Sequence, residues 1–545
     1  MATHDVRNQP PPLEDYNLFD QDPALVEGLA REGAGWAEPD LRALGQRAGS
    51  PEAIAWGFDA NAHPPVLRTH DRFGNRIDRV DYHPSYHQLM AVAVAHDLHA
   101  GPWHADAPSG AHVARAAGFY LWSQVEAGHG CPISMTYSVL PALRPAPDLL
   151  ALWQPRLTSL RYDPTDGPAG AKTGALAGMA MTEKQGGSDV RANTTSAVRS
   201  EDEGWYRLTG HKWFCSAPMG DLFLVLAQAP EGLTCFALPR WSPDGSRNRV
   251  CLQRLKDKLG NRSNASSEIE LDGAWAEPLG PLGRGVATII EMVNHTRLDC
   301  VIGAAAGMRQ AVAQAAHHAA HRHAFGRRLA DQPLMVNVLA DLAVESEAAT
   351  VTMLRLAGAY DRAGGVEHEA RFRRLAAAVA KYWVCKRQPP LVAEALECMG
   401  GNGFIEESIL PRLFRESPLN GIWEGSGNVI CLDVLRAMER QPESVEAFFR
   451  ELDRARGADH RLDRAIDDLR TQLGQPGDRE AGARRMVENM ALALQGALLV
   501  RYGHPAVADA FCASRLAGDG GQAFGTLPAG LDLAAIVERA TPKVG

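Results

Sequence analysis

The sequence predicts a multidomain α+β protein whose chain runs through a helical, a β, a second helical and a third helical region. Its 545 residues are enough for about three or four domains. Apolar residues recur at helical spacing towards both ends, whereas the middle holds short alternating segments bounded by Gly, Pro, Asn and Asp. We place the four regions at residues 1–172, 173–285, 286–440 and 441–545.

The first region opens with an extended arm that contains Pro10, Pro11 and Pro12, and it then shows helical spacing at residues 86–98 and 111–126. In the second region, alternation of apolar and polar residues predicts antiparallel strands. The strand-like segments are residues 205–208, 222–228, 234–237 and 267–271.

Helical periodicity returns after Gly285 and continues to about Arg440, with an alanine-rich run at residues 302–320. A break at residues 441–443 separates this third region from the fourth, which is again helical. No internal repeat and no low-complexity tract is present in the sequence.

The composition is that of an ordinary globular protein, with a net charge of −9, 45% hydrophobic and 22% charged residues. It excludes a disordered chain, a collagen-like repeat and a small disulfide-rich scaffold. We expect no membrane segment and no secretory signal, because no long apolar run occurs and the N-terminus is polar. The nine cysteines form no CxxC pair, which favours reduced thiols and a cytoplasmic location.

The strongest local pattern is the loop at residues 181–190, which reads Met-Thr-Glu-Lys-Gln-Gly-Gly-Ser-Asp-Val. Gly186 and Gly187 allow a close approach of backbone to a ligand, and Thr182 and Ser188 add hydroxyl groups. Such a loop can bind a flat polar heterocycle or an anionic group. Considered alone, it could equally be a tight surface turn.

Residues 210–217 predict a strand, on which Trp213 and Phe214 could belong either to the core or to the wall of a cofactor site. Residues 322–332 combine basic side chains with a Phe-Gly pair, and we expect Gly326 to end a helix and Pro333 to start the next. The basic groups could contact a pyrophosphate or simply complement a helix dipole.

Two glycine clusters follow. Residues 400–404 read Gly-Gly-Asn-Gly-Phe at a predicted helix end, and residues 421–428 read Gly-Ile-Trp-Glu-Gly-Ser-Gly-Asn. Glu424 stands there between an aromatic residue and glycines. A carboxylate in such a setting is a candidate general base.

In this order and spacing, the five motifs resemble those of the acyl-CoA dehydrogenase family over about residues 175–440. The matching positions are Thr182, Glu183, Gly187, Ser188 and Asp189; Gly210, Lys212, Phe214 and Ser216; Arg322, Phe325, Gly326 and Gln332; Gly400, Gly401 and Gly403; and Trp423, Glu424, Gly425 and Ser426. The resemblance implies the fold of that family, with an N-terminal helical domain, a central antiparallel β domain and a C-terminal helical bundle. The fourth region would be an additional helical domain.

The resemblance also implies FAD as cofactor and an acyl-CoA or a similar small molecule as substrate. Phe214 would line the flavin ring and Ser216 would hydrogen-bond near flavin N5. Arg322, Phe325 and Gln332 would contact the ADP half of the FAD bound by a neighbouring subunit. The implied cofactor-binding residues are Met181, Thr182, Gln185, Gly186, Gly187, Ser188, Phe214, Cys215, Ser216, Arg322, Phe325, Gln332, Gly400, Gly401, Trp423, Gly425, Ser426, Gly427 and Asn428.

By the same resemblance, Glu424 and Arg297 are the catalytic residues. Glu424 matches the base that removes the α-proton of an acyl-CoA while a hydride leaves the β-carbon for flavin N5. Some members carry the base just before the arginine that matches Arg297, but Thr296 stands there and cannot act as one. Glu397 occupies a position where the family usually has glutamine, and a carboxylate there would repel pyrophosphate.

The variant motifs and the additional C-terminal residues most resemble the AidB branch, bacterial flavoproteins of the response to alkylation damage. The family implies a homotetramer, since residues 322–332 match a segment that completes a neighbouring subunit's cofactor site, and the AidB branch implies binding of double-stranded DNA with low sequence specificity. Composition alone does not predict DNA binding, because residues 441–545 hold 13 basic and 15 acidic side chains. The candidate DNA contacts are Arg436, Arg440, Arg484 and Arg485. Truncation after about Arg440 should then abolish DNA binding and leave flavin binding intact.

Two alternatives remain open. The protein could be an ordinary metabolic dehydrogenase for a short or branched acyl-CoA, whose C-terminal extension only supports oligomerisation. It could instead be a DNA-associated flavoprotein whose dehydrogenase activity is vestigial or serves an unknown substrate. We expect no metal site: His317 and His321 have ligand spacing, but the sequence indicates no third ligand.

Overall fold

The computed structural model describes residues 3–201, 204–474 and 479–544, and the chain forms two compact units. The first, which we call the helical unit, comprises Met1–Ile54, Ser109–Val125 and Arg297–Gly545. The second, the β unit, comprises Ala55–Pro108 and Glu126–Thr296. Both units are therefore discontinuous in sequence.

The helices are α1 (Pro23–Arg31), α2 (Glu38–Ala48), α3 (Pro51–Ala62), α4 (Pro84–Ala95), α5 (Ala111–Ser123), α6 (Gly130–Leu143), α7 (Pro147–Leu157), α8 (Gly285–His321), α9 (Pro333–Arg362), α10 (Glu367–Cys398), α11 (Gly401–Phe404), α12 (Leu410–Glu416), α13 (Gly427–Arg440), α14 (Pro442–Asp453), α15 (His460–Gly474), α16 (Ala483–Tyr502), α17 (Pro505–Phe511) and α18 (Leu533–Ala540). The strands are β1 (Val66–His70), β2 (Arg76–Asp81), β3 (Ala177–Ala180), β4 (Ser196–Arg199), β5 (Tyr206–Ser216), β6 (Leu222–Ala229), β7 (Gly232–Pro239), β8 (Val250–Leu255), β9 (Ser266–Leu279), β10 (His323–Ala324) and β11 (Arg327–Arg328).

The β unit is built on a seven-stranded sheet in the order β3-β6-β4-β5-β9-β7, with β8 beside β9. An additional pairing of β6 with β7 closes the sheet on itself. The strand-like segments of the sequence overlap β5, β6, β7 and β9, which confirms the central β domain. The pairings of β6 with β3 and β4 are parallel, however, and alternation of residues does not reveal strand direction.

Two long helices form the centre of the helical unit. α9 and α10 contain 30 and 32 residues, and they pack against each other. α14 and α16 of the fourth region pack on α10, and both α16 and α18 pack on α9. The fourth region thus shares one compact unit with the bundle instead of forming a separate one.

A buried ionic network joins the fourth region to this bundle. Arg355 of α9 donates hydrogen bonds to Glu451 of α14 (Nε–Oε1 3.0 Å, Nη2–Oε2 3.0 Å) and to Glu369 of α10 (Nη1–Oε2 2.8 Å). Arg501 of α16 also donates to Glu451. Burial opposes the charge on Glu451, but these arginines hold the pKa of its carboxyl at about 2. The network therefore depends on all of these helices being in place.

The structure also contains two hairpins that the sequence pattern did not indicate. β1 pairs with β2 inside the region expected to be helical, and β10 pairs with β11 after α8. Both are short and exposed on at least one face, so they carry too few apolar residues to give a period-two signal.

Within the part of the chain that the structure describes, no helix is long and apolar enough to cross a membrane. The same residues contain no group of three or more His, Cys, Asp or Glu side chains placed to hold a metal ion. All nine cysteines are described and none forms a disulfide. His317 instead lies 2.9 Å from the carbonyl oxygen of Pro11 in the N-terminal arm.

Candidate functional site

In the β unit, the loop at residues 181–190 is held by a fully buried ion pair. Lys212 of β5 donates to Glu183 (Nζ–Oε1 2.8 Å), and both side chains have 0% exposure. Glu183 also accepts hydrogen bonds from the backbone N–H groups of Thr194 and Thr195 (2.7 and 3.2 Å) and from Gln185. One carboxylate therefore ties the loop and the segment that follows it to the sheet.

Electrostatics keep this pair ionised. Burial alone would raise the pKa of Glu183, but the hydrogen bond from Lys212 and those from the loop lower it to about 2. Burial also lowers the pKa of Lys212, and its ammonium gains a second acceptor in the carbonyl oxygen of Leu226 at 2.7 Å. Glu183 is thus a structural member of its motif rather than a ligand-binding one.

The tip of the loop presents main-chain groups to solvent. Gln185, Gly186, Gly187 and Ser188 are all exposed. Gly186 has a φ of +131°, and a Cβ at Gly187 would lie 2.4 Å from Thr182 Oγ1, so neither position accommodates a side chain without strain. These predicted cofactor-binding residues therefore offer backbone groups at close range, as a flat polar ligand requires.

A bulge in β5 shapes the neighbouring wall. Lys212 lies opposite Ile269, and Cys215 lies opposite Ser267. Between these two pairs, β5 contains two residues, Trp213 and Phe214, where β9 contains only one. The Phe214 side chain is 47% exposed, as expected for a cofactor wall, and Trp213 lies under the ammonium of Lys256.

Cys215 and Ser216, the last residues of β5, face different surroundings. Cys215 is 1% exposed in the core of the β unit, and burial raises the pKa of its thiol to about 12. Any contact of Cys215 with a ligand would therefore come from its main chain. Ser216 is half-buried, and its hydroxyl lies 3.4 Å from that of Ser266.

In the helical unit, residues 322–332 form a hairpin rather than a helix end. α8 stops at His321, and Phe325 and Gly326 form the turn between β10 and β11 with φ values of +53° and +81°. The expectation that Gly326 ends a helix is therefore wrong: its positive φ serves a hairpin turn. Phe325 is 96% exposed at the tip, and Gln332 donates to the carbonyl oxygen of Ala324 at 3.0 Å.

The N-terminal arm joins this hairpin to the first glycine cluster. Asn8 exchanges two hydrogen bonds with the backbone of His323 (2.7 and 2.8 Å), and its carbonyl oxygen accepts one from Arg322. The adjacent Gln9 accepts a hydrogen bond from Asn402 at 3.0 Å. Gly400, with a φ of +59°, and Gly401 are exposed beside Asn402. The arm thus links two motifs expected to bind the cofactor.

The loop that carries Glu424 is held by two cations. Glu424 has a φ of +59°, a left-handed conformation that is rare outside glycine, and Gly425 follows with +107°. Lys381 of α10 donates to the carbonyl oxygens of Trp423 (2.9 Å) and Gly425. Arg297 of α8 donates to the carbonyl oxygen of Glu424 (Nε–O 3.1 Å). Three consecutive carbonyl groups therefore accept hydrogen bonds from cationic side chains.

The structure thus gives Arg297 a backbone contact with the candidate base. Its Nη1 also donates to Asp433 of α13 at 2.8 Å, and Arg374 donates to the other Asp433 oxygen at 3.1 Å. Burial of Asp433 opposes ionisation, but the two guanidinium groups hold the pKa of its carboxyl below the usual range. Arg297 is consequently oriented by a fixed counter-ion.

Lys381 was not identified from the sequence, although a signal exists. It is the one charged residue in an otherwise apolar run at residues 376–384 of α10, and it is 1% exposed. A lysine on a buried helix face needs polar partners. The sequence does not show that those partners lie more than 40 residues away, at Trp423 and Gly425.

The remaining predicted residues lie beside the loop that carries Glu424 or on the surface. Arg484 of α16 donates to Asn428 (Nε–Oδ1 2.8 Å), so a candidate DNA contact touches a candidate cofactor residue. Ser426 is exposed, and Gly427 is buried at the start of α13. Of the other candidate DNA contacts, Arg436, Arg440 and Arg485 are all exposed.

Comparison with known proteins gives three family matches along the chain. The N-terminal domain of the adaptive response protein AidB matches residues 8–164, the acyl-CoA dehydrogenase middle domain matches residues 178–274, and the acyl-CoA dehydrogenase C-terminal domain matches residues 283–439. The three matches follow one another in the same order as the helical, β and helical regions of the sequence.

Among curated relatives, the putative acyl-CoA dehydrogenase AidB of Escherichia coli is 48% identical over 522 residues, which are 95% of each chain. Acyl-CoA dehydrogenase family member 11 of Caenorhabditis elegans is 30% identical over 80% of this chain and 73% of its own. A solved structure of C. elegans ACDH-11 in complex with C11-CoA superposes with a TM-score of 0.86 at 27% identity and covers 94% of both chains.

These matches confirm the resemblance and the fold class that the motifs indicate. The chain therefore belongs to the AidB branch of the acyl-CoA dehydrogenase family, as a flavin-dependent acyl-CoA dehydrogenase-like oxidoreductase whose cofactor is FAD.

Proposed function

We propose that the protein retains α,β-dehydrogenation of an acyl-CoA, with Glu424 as the base, and that it also binds double-stranded DNA with low specificity in the response to alkylation damage. The observation that carries the first part is the loop at Glu424, where cationic side chains hold three successive carbonyl groups. A base must be held in position relative to the proton it removes, and this loop is held on both sides.

The residues of the β unit fit the cofactor. Exposed backbone groups at Gly186 and Gly187, the exposed ring of Phe214 and the hydroxyl of Ser216 supply hydrogen bonds beside a flat apolar wall. When bound, FAD supplies the acceptor for the hydride that leaves the β-carbon. The chain's own part is to orient the thioester and to receive the α-proton on the carboxylate of Glu424.

Replacing Glu424 with glutamine tests this role. The amide is nearly isosteric but cannot accept a proton at neutral pH, so reduction of bound flavin by an acyl-CoA should slow by about 10²–10⁴-fold while FAD content is unchanged. Glu439→Gln, at an exposed glutamate near the end of α13 in the same unit, is the matched control and should reduce its flavin at the parent rate. Reduction of Glu424→Gln at the parent rate would exclude Glu424 as the base.

Support for the DNA-binding part comes from the relationship with AidB proteins and from three exposed arginines, Arg436, Arg440 and Arg485. Arg436 has only a distant contact with Asp433 (3.8 Å), so its guanidinium can reach a phosphate. Phosphate contacts of this kind are independent of sequence and weaken steeply with salt.

Fluorescence anisotropy of a labelled duplex at low salt tests this part. The substitutions Arg440→Glu and Arg485→Glu should weaken binding. The slope of log affinity against log salt concentration should become shallower by about one for each arginine–phosphate contact that is lost. Arg199→Glu, on exposed strand β4 of the other unit, should bind as the parent does. Absence of duplex binding by the parent protein would favour the alternative of an ordinary metabolic dehydrogenase.

One observation favours that alternative. The helices of the fourth region pack on α9 and α10 and share buried ion pairs with them, which is what an extension with a purely structural role would do. The same anisotropy experiment separates the two functions, since a structural extension predicts no difference between Arg440→Glu and Arg199→Glu.

We also propose that the protein is a homotetramer in the bacterial cytoplasm. Phe325, Leu334 and Phe404 are 96%, 83% and 79% exposed in the helical unit, so large apolar side chains are available for contact with further copies of the chain. A closed symmetric assembly would cover them. Light scattering is the test, and a monomer that binds FAD tightly would contradict the proposal.

A further inference from the structure

The strongest feature that the proposed function leaves unused is the buried ammonium group of Lys381. It is 1% exposed within α10, and its hydrogen-bond acceptors are the carbonyl oxygens of Trp423 and Gly425, the two residues that flank Glu424. Both acceptors are neutral. A buried charge held by neutral acceptors is costly, and it calls for a role that a neutral side chain could not fill.

Arg297 provides an instructive contrast. It holds the carbonyl oxygen of Glu424 itself, but its charge is balanced by Asp433, which Arg374 also contacts. Arg297 is thus one member of an ion-pair network, whereas both hydrogen bonds of Lys381 go to the loop. The two cations approach from different helices, α8 and α10, and fix the three carbonyl groups between them.

The backbone conformation explains what this arrangement achieves. Glu424 has a φ of +59°, which a non-glycine residue adopts stably only when its surroundings hold it there. The hydrogen bond from Lys381 to the carbonyl oxygen of Trp423 fixes the peptide plane before Glu424, and the hydrogen bond from Arg297 to the carbonyl oxygen of Glu424 fixes the plane after it. Fixing those planes fixes the direction in which the Glu424 side chain leaves the backbone.

We propose that Lys381 is a positioning residue for Glu424: it holds the loop in the left-handed conformation that aims the carboxylate at the substrate. This inference rests on the proposed role of Glu424 as the base. Lys381 itself takes no part in proton transfer. Its effect on the rate passes through Glu424 and therefore disappears when Glu424 no longer acts as a base.

A double-mutant cycle tests the inference. Lys381→Met keeps the length of the side chain but removes its donors, and Lys381→Arg keeps a cationic donor. Anaerobic reduction of bound FAD by an acyl-CoA gives the reduction rate and, from its concentration dependence, the Kd for the acyl-CoA. We expect Lys381→Met to retain FAD, to slow reduction about 10–100-fold and to change that Kd less than about threefold. Lys381→Arg should recover part of the rate.

The decisive comparison is made in the Glu424→Gln background, in which slow bleaching of the flavin is followed over hours. There, adding Lys381→Met should slow reduction less than about threefold. An equal loss in both backgrounds would show that Lys381 supports the structure generally and would overturn the inference while leaving Glu424 as the base. Parent-like reduction by Lys381→Met would also overturn it. Parent-like reduction by Glu424→Gln alone would overturn the proposed function and this inference together.

If Lys381→Met does not fold, Lys381→Gln replaces it, because the glutamine amide can still donate to one of the two carbonyl oxygens. It should then fold and reduce its flavin at a rate between those of the parent and Glu424→Gln. A folded Lys381→Gln protein with the parent rate would refute the positioning role.

Discussion

Replacing Lys212 with methionine should destabilise the β unit and loosen the loop at residues 181–190 together. Lys212 and Glu183 form an ion pair with 0% exposure on both sides, and Glu183 holds the backbone at Thr194 and Thr195. Methionine fills a similar volume but leaves the Glu183 carboxylate buried without its cation. The cost comes from that uncompensated charge rather than from a cavity.

The loss of the cation sets the size of this cost, and the pKa of Glu183, which Lys212 and the hydrogen bonds from Thr194 and Thr195 lower together, is consistent with it. Removal of one partner from a buried ion pair typically costs about 3–5 kcal/mol. The pKa of Glu183 lies at about 2 instead of near 4.5, a difference equivalent to about 3 kcal/mol of preference for the ionised form in the folded protein. Because the folded pKa is depressed, this stabilisation is fully present above about pH 4.5 and is lost as the pH falls towards 2.

Urea unfolding followed by circular dichroism, together with FAD affinity from flavin fluorescence, provides the assay. Lys212→Met should lower the free energy of unfolding by about 3 kcal/mol at pH 7 and by much less near about pH 3, and it should release FAD more readily. Lys184→Met, at an exposed neighbour on the same loop, should stay within about 0.5 kcal/mol of the parent. If Lys212→Met unfolds like Lys184→Met and binds FAD equally well, the buried pair does not hold the loop.

Three further substitutions address separate features. Phe325→Glu, at the exposed hairpin tip, should lower the oligomeric state measured by light scattering without changing the circular dichroism spectrum, because the side chain contacts little within its own chain. Asp433→Asn should cost about 3 kcal/mol in urea unfolding, since it leaves the buried guanidinium of Arg297 without its counter-ion. Cys215→Ser should retain FAD in a fluorescence titration, because the Cys215 side chain lies in the core and only its main chain can reach a ligand.

The parts of the fold predictable from sequence were those with a local signal. The predicted strand segments overlap β5, β6, β7 and β9, although β6 is buried at almost every position and is a continuous apolar run rather than an alternating one. The sequence predicted that Gly186 and Gly187 allow a close approach of backbone to a ligand, and in the structure both glycines are exposed. Strand direction was not predictable, since a parallel neighbour such as β3 beside β6 leaves the same alternation as an antiparallel one.

The error at Gly326 shows how one residue type can serve two geometries. A glycine with positive φ ends many helices, and the same φ is required in a two-residue hairpin turn. Sequence alone does not distinguish the two, because the choice depends on how the residues on either side pair. Here, β10 and β11 pair across Phe325 and Gly326, and the arm residue Asn8 binds His323 beside them.

Contacts between residues far apart in the sequence were not predictable either. The motif around Glu424 was recognisable, but nothing local to it indicates that Lys381 and Arg297 hold its carbonyl groups. Likewise, the sequence predicted a helical fourth region without indicating what covers the apolar faces of its helices. In the structure the bundle covers them, and the region expected to be a separate domain is part of one compact unit.

Truncation after Arg440 is therefore predicted to unfold the helical unit rather than to remove a separable DNA-binding module. It would strip buried side chains such as Phe448, Leu452 and Leu494 from the bundle, at roughly 2 kcal/mol each, and would leave Arg355 buried without Glu451 at about 3–5 kcal/mol. The sum of roughly 10 kcal/mol is comparable with the whole stability of a typical domain.

A single substitution is more informative than truncation, because it leaves the rest of the bundle in place. Glu451→Gln should lower the free energy of unfolding by about 3 kcal/mol, since Arg355 and Arg501 both lose an anionic partner, whereas Glu446→Gln at an exposed position of α14 should be nearly neutral. If the truncated chain instead folds with the parent melting temperature and binds FAD, the fourth region is a detachable module, and the buried network around Glu451 does not stabilise the bundle.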